Sequence, residues 1–223
     1  MKPLRTTLLF LTLAGALGAP ALADDVRPPF YRGLELSVRA EWQNVTSIPA
    51  GQPTPPTVFE AFTTPQYPLF QGIETQLVCL PELDGFLYRV EMQNIEDDLP
   101  LKFLRLQVTT ISPIPPVEPL VNIIGFDNAL APPDSVLVNG GLVEVVSVAA
   151  GAPFRDVFVY DFVLEPNPDF EIIEIFVPFE MEVDQIVVDS ISTVPEPAYA
   201  GFLAGACMLT LVLSRRYSRR PRG

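Results

Sequence analysis

Histidine is absent from this chain. That absence removes the Ser-His-Asp and Cys-His nucleophile pairs and every His-ligated zinc site. Cysteine is nearly absent too, with only Cys79 and Cys207 in 223 residues. Cys207 lies in an apolar run near the C-terminus. The body of the chain therefore holds Cys79 alone and forms no internal disulfide, and Cys79 is expected inside a strand as a small hydrophobe. Long 3.6-residue periodicity is missing outside the two terminal segments, so helices contribute little to the body. Positive charge is scarce, with 14 basic residues against 27 acidic ones.

What is present begins at the two ends. Lys2 and Arg5 precede an apolar stretch from Leu8 to Leu17. Ala21, Leu22 and Ala23 follow, and then Asp24. A charged start, a short apolar centre and a small-x-small site read as a secretory signal peptide over residues 1–23, cut between Ala23 and Asp24. At the other end stand Val194, Pro195, Glu196 and Pro197, then an apolar run from Ala198 to Leu213, then Arg215, Arg216, Arg219, Arg220 and Arg222. As a helix the run spans about 24 Å. It is a short transmembrane segment against a hydrocarbon core of about 30 Å. The arginines favour the cytoplasmic side. Pro195 and Pro197 keep the preceding chain extended, a shape a protease can grip. On these residues alone, a plain C-terminal anchor with a proline-rich stalk fits as well.

Taken together, residues 194–223 resemble the PEP-CTERM sorting signal of Gram-negative, exopolysaccharide-making bacteria. The resemblance rests on Val-Pro-Glu-Pro, a short apolar helix and an arginine cluster in that order. It implies recognition and cleavage near the motif by an exosortase, a membrane-embedded transpeptidase. It also implies delivery of the exported domain to the cell surface or the exopolysaccharide matrix. A second, shorter likeness covers Tyr88 to Asn94 and Leu101-Lys102-Phe103, which look like the central hairpin of many such exported domains.

The body, residues 24–193, keeps 26 of the acidic residues and 7 of the basic ones, a net charge of −19. Such a domain should repel nucleic acid and anionic membrane. Leu34, Leu36, Val38, Ala40 and Trp42 alternate with polar residues, as do Phe86, Tyr88, Val90 and Met92. Period 2 marks strands with one buried face. Glu96-Asp97-Asp98 reads as a hairpin loop joining the second of these to a strand over Leu101–Ile111, and Asn139-Gly140-Gly141 reads as a tight turn. Further β-rich runs over 121–126, 157–164, 172–179 and 183–191 are separated by proline-rich crossings. Nearly ten short strands predict an all-β, antiparallel, immunoglobulin-like sandwich.

Three acidic clusters are candidate calcium ligands: Glu96-Asp97-Asp98; Asp169 with Glu171 and Glu174; and Glu180, Glu182 and Asp184. The last three would share one strand face, but no Asp-x-Asp-x-Asp-Gly loop is present. Tyr31 and Tyr67 lie beside prolines and are the tyrosines best placed for exposure and sugar stacking, whereas Trp42 and Tyr88 fall on apolar phases. Paired carboxylates can hydrolyse glycosides, yet no aromatic-lined cleft signature surrounds a pair. The expectation is a non-catalytic surface or matrix protein, with a carbohydrate-binding module as the alternative and a polysaccharide hydrolase behind it.

Overall fold

The computed structural model describes residues 25–126, 136–149 and 152–193. The signal peptide and the sorting motif with its apolar run and arginines lie outside the described residues. Ten strands appear in order: β1 Ser37–Gln43, β2 Val58–Ala61, β3 Gln76–Pro81, β4 Gly85–Gln93, β5 Leu101–Ser112, β6 Leu120–Phe126, β7 Leu137–Ala149, β8 Phe154–Glu165, β9 Phe170–Pro178 and β10 Glu182–Thr193. The only helix among the described residues is a single 3-10 turn, Val45–Ser47, and none is long and apolar enough to cross a membrane.

The strands form two antiparallel sheets packed face to face. One has six strands in the order β2-β1-β10-β5-β8-β7, the other four in the order β3-β4-β9-β6. Alternation sets the inner faces. Ala40, Val188, Leu106 and Tyr160 stand opposite one another across the six-stranded sheet. They meet Val90, Ile173 and Ile123 of the other sheet in one core. Trp42 and Tyr88 are buried there, as their strand phase predicts, and Trp42 Nε1 donates to Thr54 O at 3.0 Å. Cys79 is buried in β3 opposite Tyr88, where burial pushes its thiol up and leaves it inert.

The all-β sandwich is as expected, but its strand order is not immunoglobulin-like. An immunoglobulin sandwich groups strands as ABED and CFG. Here the pairs β1·β10, β4·β9 and β5·β8 nest inside one another, as though one long hairpin had been rolled up. That is the wrapping of a jelly roll. Alternation tells which face of a strand is buried and not which strands are neighbours.

Two turn readings are corrected as well. β4 and β5 do not form a hairpin. β4 pairs with β3 and β9, β5 with β10 and β8, and the chain crosses between sheets through Asn94–Pro100. Hairpin loops run about 2–5 residues, and this connection is longer. Asp97 Oδ1 shapes it by accepting from the Leu99 N–H and from Asn167 Nδ2, both at 2.8 Å. Asn139-Gly140-Gly141 is likewise no turn. These residues continue β7 and pair with Val163, Phe162 and Asp161 of β8. Gly140 holds φ +136, and a Cβ there would stand 2.1 Å from Asp161 O. The glycine serves close backbone approach within a strand.

Gly140→Ala should therefore destabilise the protein by about 1–3 kcal/mol, read as a lower urea midpoint. An unchanged midpoint would mean that β7 does not pair with β8 at this position.

Candidate functional site

The most organised polar surface is the outer face of the six-stranded sheet. Five residues stand directly opposite one another across five strands with alternating charge: Glu60, Arg39, Asp189, Arg105 and Asp161. Opposite charges at facing positions stabilise neighbouring strands. Arg105 grips Asp161 with two parallel bonds of 2.6 Å, the fork geometry of a strong guanidinium–carboxylate pair. Arg39 bonds Glu41 and lies 3.4 Å from Glu60.

A strap from Asp25 to Leu36, ahead of β1, is laid across this row. Gln107 holds it by both ends of its amide: Nε2 donates to Asp25 Oδ1 at 2.7 Å, and Oε1 accepts the Arg27 N–H at 3.0 Å. Arg32 of the strap bridges Asp25 and Asp189, with its Nε donating to Asp189 Oδ1 at 2.7 Å. Asp189 is 1% exposed. Burial pushes its carboxyl up, and Arg32 opposes that shift. Burial also works against the Arg32 charge, but its bonds to Asp189 and Asp25 outweigh this and hold the guanidinium above its ordinary value. Tyr31, also in the strap, is turned inward, 6% exposed, with its O–H donating to Asp189 O at 3.3 Å. Burial, with the Asp189 charge second, pushes its hydroxyl above the ordinary tyrosine value. Glu41 is buried although it sits on the polar phase of β1, with Arg39, Gln43 and Gln185 bonded to its carboxylate.

The sugar-stacking platform is not formed as expected. Tyr31 is buried, Tyr67 is half-buried against the core, and Tyr160 is buried with its O–H on Pro119 O at 2.9 Å. Proline neighbours signal a loop, and here the loop is folded back as the strap, which sequence spacing does not reveal.

The acidic clusters do not assemble either. Glu180 lies exposed in the crossover turn between β9 and β10, and Glu182 is exposed at the start of β10. Asp184 sits in a bulge between Val183 and Gln185 and bonds Arg155 at 2.5 Å. The bulge breaks the period-2 phase that would have put the three on one face. Glu171 points into the sandwich while Glu174 bonds Asn122 at 3.1 Å on the outside. Among the described residues no group of three or more acidic or cysteine side chains is placed to hold a metal ion.

Two small cavities, of about 190 and 240 Å³, are each lined by one carboxylate, Glu174 or Glu182. Ligand pockets usually measure about 300–1,000 Å³, and neither cavity offers the carboxylate pair of a glycosidase. No protein-family model, curated protein or solved structure matches this chain.

The strap makes a sharp contrast available. Arg32→Ala leaves Asp189 buried without its partner and should cost about 3–5 kcal/mol. Arg27→Ala removes the exposed pair with Glu144 and a local bond to Val26 O and should leave the urea midpoint nearly unchanged. Equal and small losses in urea unfolding would show that the strap is not latched through Arg32.

Proposed function

We propose that this chain is a non-catalytic, exported structural protein of the cell surface or extracellular matrix. On this reading its tail is a sorting signal processed by an exosortase-type transpeptidase at Val194-Pro195-Glu196-Pro197. The observation that carries the proposal is where the sandwich stops. β10 is an interior strand of the six-stranded sheet, paired on both sides, and its last residue is Thr193. The motif starts at the next residue. A cut there leaves every strand of the sandwich intact, so the tail serves address and not architecture.

The other end is consistent with this. The expected cleavage after Ala23 leaves Asp24 and Asp25 as the first residues, and Asp25 is already engaged by Arg32 and Gln107. Before processing, the apolar run from Ala198 to Leu213 would hold the precursor in the inner membrane with Arg215, Arg216, Arg219, Arg220 and Arg222 inside. After processing, a sandwich of net charge −19 would face the matrix. Acidic exopolysaccharide is its proposed surroundings, with contact bridged by dissolved cations such as calcium. Nucleic acid is excluded as a partner by like charge.

The test is the intact mass of the protein recovered from membrane, periplasmic and matrix fractions of its own cells. A chain that starts at Asp24 and ends between Pro195 and Pro197 is expected outside the inner membrane. A chain that keeps residues 198–223 in cells with a working processing enzyme would reduce the tail to an ordinary anchor.

A further inference from the structure

Where the chain passes from β4 to β5, three side chains of matched chemistry are buried together between the sheets. Asn94 follows β4, Lys102 lies on the inner face of β5, and Glu171 lies in β9. Their exposures are 0%, 1% and 0%. Lys102 Nζ stands 3.4 Å from Glu171 Oε2, and the same oxygen accepts a hydrogen bond from Asn94 Nδ2. One carboxylate therefore gathers an amine and a carboxamide. Asn94 is fixed from its other side, because Nδ2 also donates to Pro168 O at 2.9 Å and its main-chain oxygen accepts from the Phe70 N–H at 2.8 Å.

The protonation states suit a reaction. Burial lowers Lys102 and raises Glu171. Both shifts favour the neutral amine and the neutral acid over the ion pair. A neutral amine is a nucleophile and a neutral carboxylic acid is a proton donor. Asn94 Oδ1 and Glu171 Oε1 are both buried without a hydrogen-bond partner. A proton on Glu171 Oε2 lies beside Asn94 Nδ2, the nitrogen that has to leave.

We propose that Lys102 and Asn94 join in an intramolecular isopeptide bond, with Glu171 as the proton carrier. Lys102 Nζ attacks Asn94 Cγ, and the Cγ–Nδ2 bond breaks. One proton leaves Nζ, passes through Glu171 and reaches the departing nitrogen, which leaves as ammonia. The product is a secondary amide, and the step requires no oxidant, metal or second substrate. Burial keeps water from competing for Cγ. The bond ties the end of β4 in one sheet to β5 in the other. It closes a short loop, so its chain-entropy effect is small. Its gain is local, since it replaces a buried amine and carboxyl pair that would be costly as ions and covalently fixes the crossover in a body with no disulfide.

The test is mass spectrometry of the folded full chain and its tryptic peptides. The expected result is a mass lower by one ammonia and no cleavage after Lys102. The peptide Val90 to Arg105 then appears whole, with no fragment ions between Asn94 and Lys102. Glu171→Gln and Lys102→Met should each restore the ammonia. Unmodified mass with normal cleavage after Lys102 in the folded wild type overturns the proposal, whatever the variants do. Ammonia loss that maps to another residue overturns it too, and loss that persists in Glu171→Gln removes Glu171 from the step.

Discussion

The pairing of β1 with β10 is the contact on which the rest of the sandwich depends. Ser37 faces Ile191 and Gln43 faces Gln185, so the first and last strands run side by side in the six-stranded sheet. β10 is the bridge between β1 and β5. Without it that sheet is two pieces, and the core loses Ile186 and Val188 together. A contact this distant in sequence must overcome loop-closure entropy before any pairing rewards it. The domain is therefore incomplete until its last strand has arrived.

The strap depends on the same strand. Asp189 lies on the outer phase of β10, between Arg39 and Arg105 in register. Its bonded partner is nevertheless Arg32, from ahead of β1. Leu36, at the junction, takes a positive φ of 65°, a rare state for a branched apolar residue. Its N–H reaches Phe62 O at 2.8 Å and its carbonyl accepts the Ser192 N–H at 3.2 Å. The strained junction is held by β10 on one side and by the residue after β2 on the other. Both ends of the described body thus meet on one face, and each stabilises the other.

Strand positions were largely legible in the sequence, because burial on a pleated surface imposes period 2 and the residues of β1 and β4 obey it. Neighbourhood was not legible. Nothing in Phe86–Met92 says that its partner is Ile172 and not Leu101, since a hairpin loop and a sheet-to-sheet crossing both use short polar residues. Tyr31 was misplaced because its loop folds back onto the sheet as the strap, and docking on a distant segment leaves no local pattern. Gly140 misled in a different way. Glycine marks tight turns and close backbone approach alike, and only the facing strand decides between them.

Each of the seven basic side chains of the body forms an ion pair with a carboxylate. Arg32, Arg39 and Arg105 stitch the outer row, and Lys102 sits in the interior. Positive charge is thereby consumed within the fold, and the acidic excess is left for the surface. Net repulsion of this size opposes compaction, and the body has no disulfide to offset it. The fold answers with long interior strands, with a strap latched by guanidinium–carboxylate forks, and with a lysine placed where its charge is least welcome. At that last site the electrostatic cost vanishes if the amine becomes an amide. The same burial that makes the Lys102–Glu171 pair a weak stabiliser as ions makes it suited to covalent chemistry.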